Sequence, residues 1–162
     1  MFSIDSFIAS FSLECGICIR LYEKMPPGAL DYRPTPGQRS TLELLRYLSY
    51  GPYNGIRRIL AGDWSLGRSA SDVTKDMPPS DFPRRMLWQS EEVARLMRAA
   101  NPLALERDTI TFPWGDTMKK GEGLVNHPLK WLVAYRMQLF LYLKAAGAKG
   151  LGTKDLWRAP KE

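Results

Sequence analysis

The chain has 162 residues, of which 44% are hydrophobic and 25% charged, with a net charge of +6 at neutral pH. That length suits one domain able to bury about 70% of the surface its unfolded form exposes, and the composition excludes a disordered or fibrous chain. The positive balance speaks to solubility and non-specific association rather than to function. The basic residues are scattered, with nothing denser than Arg57 beside Arg58, Arg84 beside Arg85 and Lys119 beside Lys120, so no nucleic-acid partner is expected.

The N-terminus, Met-Phe-Ser-Ile-Asp, has no positive charge ahead of its apolar residues and does not read as a secretory signal. The most apolar stretch, residues 131–143, is broken by Arg136 and Gln138 and falls short of the roughly 18 residues of a membrane span. A cytoplasmic protein with no membrane partner is therefore expected. Two cysteines alone, Cys15 and Cys18, make no disulfide framework, which agrees with a reducing compartment.

Residues 4–25 place Ile4, Phe7, Ile8, Phe11, Cys15, Cys18, Ile19, Tyr22 and Met25 on one face at helical spacing. Pro26, Pro27 and Gly28 end that first helix. After a linker carrying Pro34, Pro36 and Gly37, Ser40-Thr41-Leu42-Glu43 has the spacing of a capping box and opens a second helix over 40–61. Its stripe is Leu44, Leu45, Leu48, Ile56 and Ile59, and the interruption by Gly51, Pro52 and Gly55 predicts a kink near Gly51.

Residues 63–80 show no clear period and read as a long connection with room for a short helical turn. Phe82, Met86, Val93, Leu96, Met97 and Ala100 restore helical spacing over 81–100, and Asn101-Pro102 is read as the close of this third helix. Thr109-Ile110-Thr111-Phe112 is expected as a short extended piece before a turn at Pro113-Trp114-Gly115-Asp116. Asn126 with Pro128 in the first turn opens a fourth helix over 126–146 that stops at Gly147. Being apolar on most of its circumference, it is expected to be the most central of the four. The residues after it read as an exposed tail.

Few residues offer chemistry. Cys15-Gly16-Ile17-Cys18 has the spacing of redox and zinc motifs, but zinc takes about four ligands and the chain holds one histidine, His127. Redox thiols of this spacing draw reactivity from a helix N-terminus, whereas these lie about three turns into the first helix on its apolar face, so buried packing is expected. With a lone histidine and no GxSxG turn, a hydrolase triad is unsupported. The glycine-rich string 147–154 follows a helix instead of joining strand to helix, which excludes a phosphate loop. On the fourth helix, His127, Trp131, Tyr135, Gln138 and Tyr142 recur at spacings of three and four and share one ridge. Such a ridge either packs as core with its polar tips satisfied or lines a pocket between helices.

The order of these features resembles the DinB-like superfamily. The resemblance is carried by Tyr32-Arg33-Pro34-Thr35-Pro36-Gly37-Gln38-Arg39-Ser40 followed by Glu43-Leu44-Leu45-Arg46-Tyr47-Leu48, and by Trp131-Leu132-Val133-Ala134-Tyr135-Arg136-Met137-Gln138-Leu139 followed by Tyr142-Leu143-Lys144-Ala145-Ala146-Gly147. It extends over about residues 21–157. It implies an all-α fold, a DinB-like four-helix bundle with a long second crossover connection and a short irregular or extended segment before the last helix, as a single domain over 1–162.

In that family a histidine of the second helix and two histidines four apart in the last helix hold a divalent metal, commonly nickel or zinc, and some members are thiol-dependent transferases or isomerases. Aligning the motifs puts these positions on Tyr47, Trp131 and Tyr135, none of them a histidine; Gln138 matches the glutamine after the last histidine and supports the register. The resemblance thus implies the fold while the substitutions argue against the family's metal, so no metal and no other cofactor are expected. The expected function is a non-catalytic protein with an aromatic-lined pocket for a small molecule, or one filled by its own side chains. Tyr47, Trp131 and Tyr135 are its first candidates and His127, Gln138 and Tyr142 the next. The alternative is a thiol-dependent enzyme, of transferase or redox type, using Cys15, Cys18 or His127. Family members commonly pair through helices, which makes a homodimer the expected assembly.

Overall fold

A computed structural model describes residues 2–158, so the expected domain over 1–162 extends past the described residues at both ends. Helix α1, Ile4–Glu23, starts where the Ser3 hydroxyl accepts the Ser6 N–H at 3.2 Å, satisfying one of the free amides of a helix start. It buries Phe7, Phe11, Cys15 and Cys18 as the spacing predicts, and also Ile17 and Leu21, so the buried arc is wider than one stripe. The cause is that α1 packs against two other helices described below.

Helix α2, Thr41–Leu48, is opened by the expected capping box: Ser40 Oγ accepts the Glu43 N–H at 3.2 Å and Glu43 Oε2 accepts the Ser40 N–H at 2.7 Å. The expected kink at Gly51 is a full break. Helix α3, Gly51–Ala61, starts anew with Pro52 in its first turn, where the missing proline N–H costs nothing. Gln89, fully buried, spans the break: its amide donates to the Leu48 carbonyl at 3.2 Å and its Oε1 accepts the Tyr53 N–H at 3.0 Å. Each group left unpaired there would cost about 1–3 kcal/mol.

The long connection contains a short helix, α4, Ala70–Thr74, capped by the Ser69 hydroxyl. Helix α5, Phe82–Ala99, buries Phe82, Met86, Val93 and Met97 and packs along α1. Asn101 and Pro102 do not simply end it. Asn101 Oδ1 accepts the Leu103 N–H at 3.0 Å and caps a further helix, α6, Pro102–Arg107, which the sequence reading missed. The expected extended piece is strand β1, Thr109–Thr111. It pairs antiparallel with an unanticipated partner, β2, Thr117–Lys119, setting Ile110 opposite Met118.

The last helix begins earlier than expected. Helix α7, Lys120–Leu124, runs through a π-helical turn, Val125–Leu129, into α8, Lys130–Ala145. Pro128 therefore lies inside a helical run instead of in its first turn, and the wider turn takes up its ring and missing N–H. Nor is α8 central on all sides: Met137 and Leu141 are 38% and 55% exposed, while its other faces pack on α1 and α2.

The described part of the tail is exposed at Lys149, Lys154 and Trp157, as expected, but Leu151, Asp155 and Leu156 are buried. A 3₁₀ turn, Thr153–Leu156, carries Asp155 into full burial, where it meets Arg20 Nε at 2.9 Å and Lys24 Nζ at 2.6 Å. Arg136, 2% exposed, donates to Glu14 Oε2 at 2.6 Å and to the Leu156 carbonyl at 2.8 Å. The tail is thus fixed to both α1 and α8. Among the described residues, no helix is long and apolar enough to cross a membrane.

Candidate functional site

Because α2 packs against α8, Tyr47 from the first meets Trp131 and Tyr135, one turn apart on the second. The three rings contact one another: Tyr47 to Trp131 at 4.7 Å and Tyr47 to Tyr135 at 5.2 Å, both edge to face, and Trp131 to Tyr135 at 4.7 Å. Such pairs contribute about 0.5–1.5 kcal/mol each beyond their burial. The Arg39 guanidinium lies over Tyr47, 3.9 Å from the ring centroid, and 5.9 Å from that of Tyr135. Burial, then the neighbouring Tyr135, pushes the Tyr47 phenol above its usual range.

Further along the ridge, Gln138 donates to the Tyr142 hydroxyl at 2.6 Å, and the buried Tyr142 ring meets Tyr32 edge-on at 5.5 Å. Gln138 reaches a cleft beside the rings; Tyr142 serves as packing behind it. His127 goes elsewhere. The π turn that holds it carries it off the ridge, into a cluster with Trp64, Phe112 and Trp114 at 5.7, 5.5 and 5.4 Å. Burial lowers its pKa, and its Nδ1 is buried with no hydrogen-bond partner among the described residues.

The cleft has a volume of about 790 Å³. Its walls are the linker (Arg33, Gly37, Gln38, Arg39), the outer face of α2 (Glu43, Arg46, Tyr47) and the α4 segment (Ser69, Ala70, Ser71, Thr74, Lys75), with Tyr135 and Gln138 of α8 closing one side. The four cationic side chains were not singled out in the sequence. Arg33 and Arg39 do stand inside the linker motif, but Arg46 and Lys75 come from separate segments, and nothing in their spacing announces that they converge.

Cys15 and Cys18 are unbonded and buried in the core, as expected. Burial raises both thiols well above their usual range; Cys18 adds to this at Cys15, and Glu14 at Cys18. A thiolate is the reactive form, so this placement does not favour thiol chemistry.

No family model matches the chain, and no curated protein sequence matches it. Among solved structures it is similar to a DinB-like protein from Bacillus subtilis, with a TM-score of 0.69 at 17% identity, over 96% of this chain and 99% of that one. The likeness concerns the course of the backbone, and with the mostly helical architecture it shows that this chain has a DinB-like fold.

Proposed function

We propose that the chain is a non-catalytic DinB-like protein, a single domain without the family's divalent metal, whose cleft beside Tyr47 and Tyr135 receives a small molecule. The observation that carries this reading is the mutual contact of Tyr47, Trp131 and Tyr135. The donor chemistry does not fit a metal ion: indole offers no lone pair, and the Tyr47 phenol must lose a proton made harder to remove by burial. Among the described residues, no three or more His, Cys, Asp or Glu gather as a substitute set. Glu43, which lines the cleft, is held by Arg33, and Glu14 on α1 by Arg136.

The test is metal content after purification without an affinity tag, repeated on the variant carrying Tyr47→His, Trp131→His and Tyr135→His together. The reading expects stoichiometric nickel or zinc only in the variant. It fails if the native protein carries one metal per chain and loses it on Tyr47→Phe with Tyr135→Phe. The proposal includes a homodimer in a reducing, cytoplasmic setting, on the family resemblance and the two unbonded thiols. Light scattering that returns a mass near 18.4 kDa across micromolar concentrations would remove the dimer from it.

A further inference from the structure

We infer that the cleft takes a small organic anion with a flat apolar body, its oxyanion held by Arg39 and Arg46 with Lys75 nearby and its body lying against Tyr135, beside the Tyr47 ring that Arg39 covers. This rests on the reading of the cleft as a ligand pocket and adds the chemical class of the ligand.

The charges that line the cleft are unequally committed. Glu43, its one lining carboxylate, is taken up by Arg33 at 2.9 Å and by the Ser40 N–H. Arg33 is likewise satisfied, since it also donates to the Gln38 carbonyl. Arg46 spends only its Nε, on the Met77 carbonyl at 3.0 Å, which pins the side chain and leaves both terminal nitrogens without a partner among the described residues. Arg39 has no hydrogen bond and no ion pair among the described residues; it is held instead by the Tyr47 ring beneath it. A guanidinium held over a ring spends none of its N–H groups on a hydrogen bond, so those of Arg39 remain available to an oxyanion. Among the described residues the Lys75 ammonium has only Asp76 at 4.0 Å, an exposed pair of little strength.

Three under-compensated cations around one concavity repel each other, and an anion seated among them relieves that repulsion while gaining charge-assisted hydrogen bonds. Two of the three are already positioned, Arg46 by its carbonyl anchor and Arg39 by stacking, which reduces the ordering cost of binding. The hydroxyls on the same wall are occupied: Thr74 donates to the Ala70 carbonyl, Ser69 to Asp72, and Ser71 pairs with Ser69 at 2.9 Å. Recognition of charge therefore falls to the cations. The Tyr135 ring beside them supplies a surface for a planar apolar group, and about 790 Å³ lies within the range of small-ligand sites.

Calorimetry on the full chain at low salt would use 2-naphthoate, 2-naphthyl phosphate, the neutral 2-naphthol, a naphthylmethylammonium ion and inorganic phosphate. At least one naphthyl anion is expected to bind about tenfold or more tighter than 2-naphthol and the ammonium, and more tightly than inorganic phosphate. Whether the carboxylate or the phosphate leads identifies the oxyanion. Arg39→Gln and Arg46→Gln should each weaken that anion by about fivefold or more with the circular dichroism unchanged. Arg39 is exposed, so its variant decides the matter should Arg46→Gln misfold. Equal binding of 2-naphthol overturns the anion inference and leaves the pocket standing. An anion indifferent to Arg39→Gln sits elsewhere and also overturns it. If no probe of any charge binds, both the inference and the pocket fall.

Discussion

The indole of Trp131 lies directly on Gly51: a Cβ added at Gly51 would stand 2.3 Å from Trp131 Cη2 and 2.8 Å from Cζ2. The glycine at the start of α3 and the tryptophan on α8 therefore depend on each other. The break between α2 and α3 brings a backbone without a side chain to the place where the ring must fit. Tyr47 and Tyr135 then pack on the ring so placed.

Gly51→Ala is expected to destabilise the fold by about 1–3 kcal/mol, because the indole is held by two other rings and cannot simply swing away. The backbone itself does not forbid alanine, since Gly51 is not among the positive-φ glycines. Combined with Trp131→His, which removes the ring atoms in question, the penalty should shrink, giving a coupling of at least about 0.5 kcal/mol in urea unfolding. Strict additivity would show that the contact does not constrain either residue.

Three of the main helices were legible from spacing alone, and the Ser40 to Glu43 box was legible in both of its hydrogen bonds, because these are local rules. The helix break was readable as a kink at Gly51. Its full extent was not, since it depends on Gln89, 36 residues beyond Tyr53, to satisfy the freed backbone. Asn101-Pro102 carried an overlooked signal: the pair that ends one helix is also a good N-cap and first position for the next. Burial of Asp155 was not legible, because the polar stretch that holds it reads as solvated until Arg20 and Lys24 are known to face it. Convergence of Tyr47, Trp131 and Tyr135 followed from the resemblance. The cations beside them came only with the packing of linker, α2 and α4.

Thiol reactivity should follow burial. With Cys15 and Cys18 at 1% and 0% exposure and both thiols pushed up, a disulfide reagent at neutral pH is expected to modify neither in the native protein and both in denaturant. Fast native modification of either would revive the thiol-dependent reading.

Asp155 ties acid stability to the tail. Burial alone would raise its pKa, but the Gly152 N–H, Lys24 and Arg20 together outweigh this and hold the carboxyl well below the usual range. A depressed carboxylate contributes stability that is present above its unfolded value, near 3.8, and lost as pH falls through the folded one. Asp155→Asn should therefore lower the melting temperature most near neutral pH, by an amount corresponding to about 1–3 kcal/mol since Arg20 and Lys24 stay partly solvated, and the gap should narrow below about pH 4. A gap that widens towards acid would contradict the assignment.

His127, the chain's single histidine, gives a clean titration signal. Burial among Trp64, Phe112 and Trp114 disfavours its charged form, whereas the ring faces around it would attract an imidazolium, so the observed midpoint reports which effect wins. Desolvation sets the expected direction, with a midpoint below 6.5 in the proton spectrum. The sign for stability follows: a depressed histidine pKa means that the unfolded chain binds the proton more readily, so stability present above about 6.5 is lost as pH falls through the folded value. Trp114→Ala offers the internal control. Trp114 is 58% exposed and stacks on Phe112 at 4.7 Å, so its removal should admit water to the imidazole with little cost to the core. The midpoint should then move up towards 6.5 and the loss of stability in mild acid should diminish in parallel. A native midpoint at or above 6.5, moving down on Trp114→Ala, would mean instead that the rings hold the cation and that His127 stabilises the hairpin contact in acid.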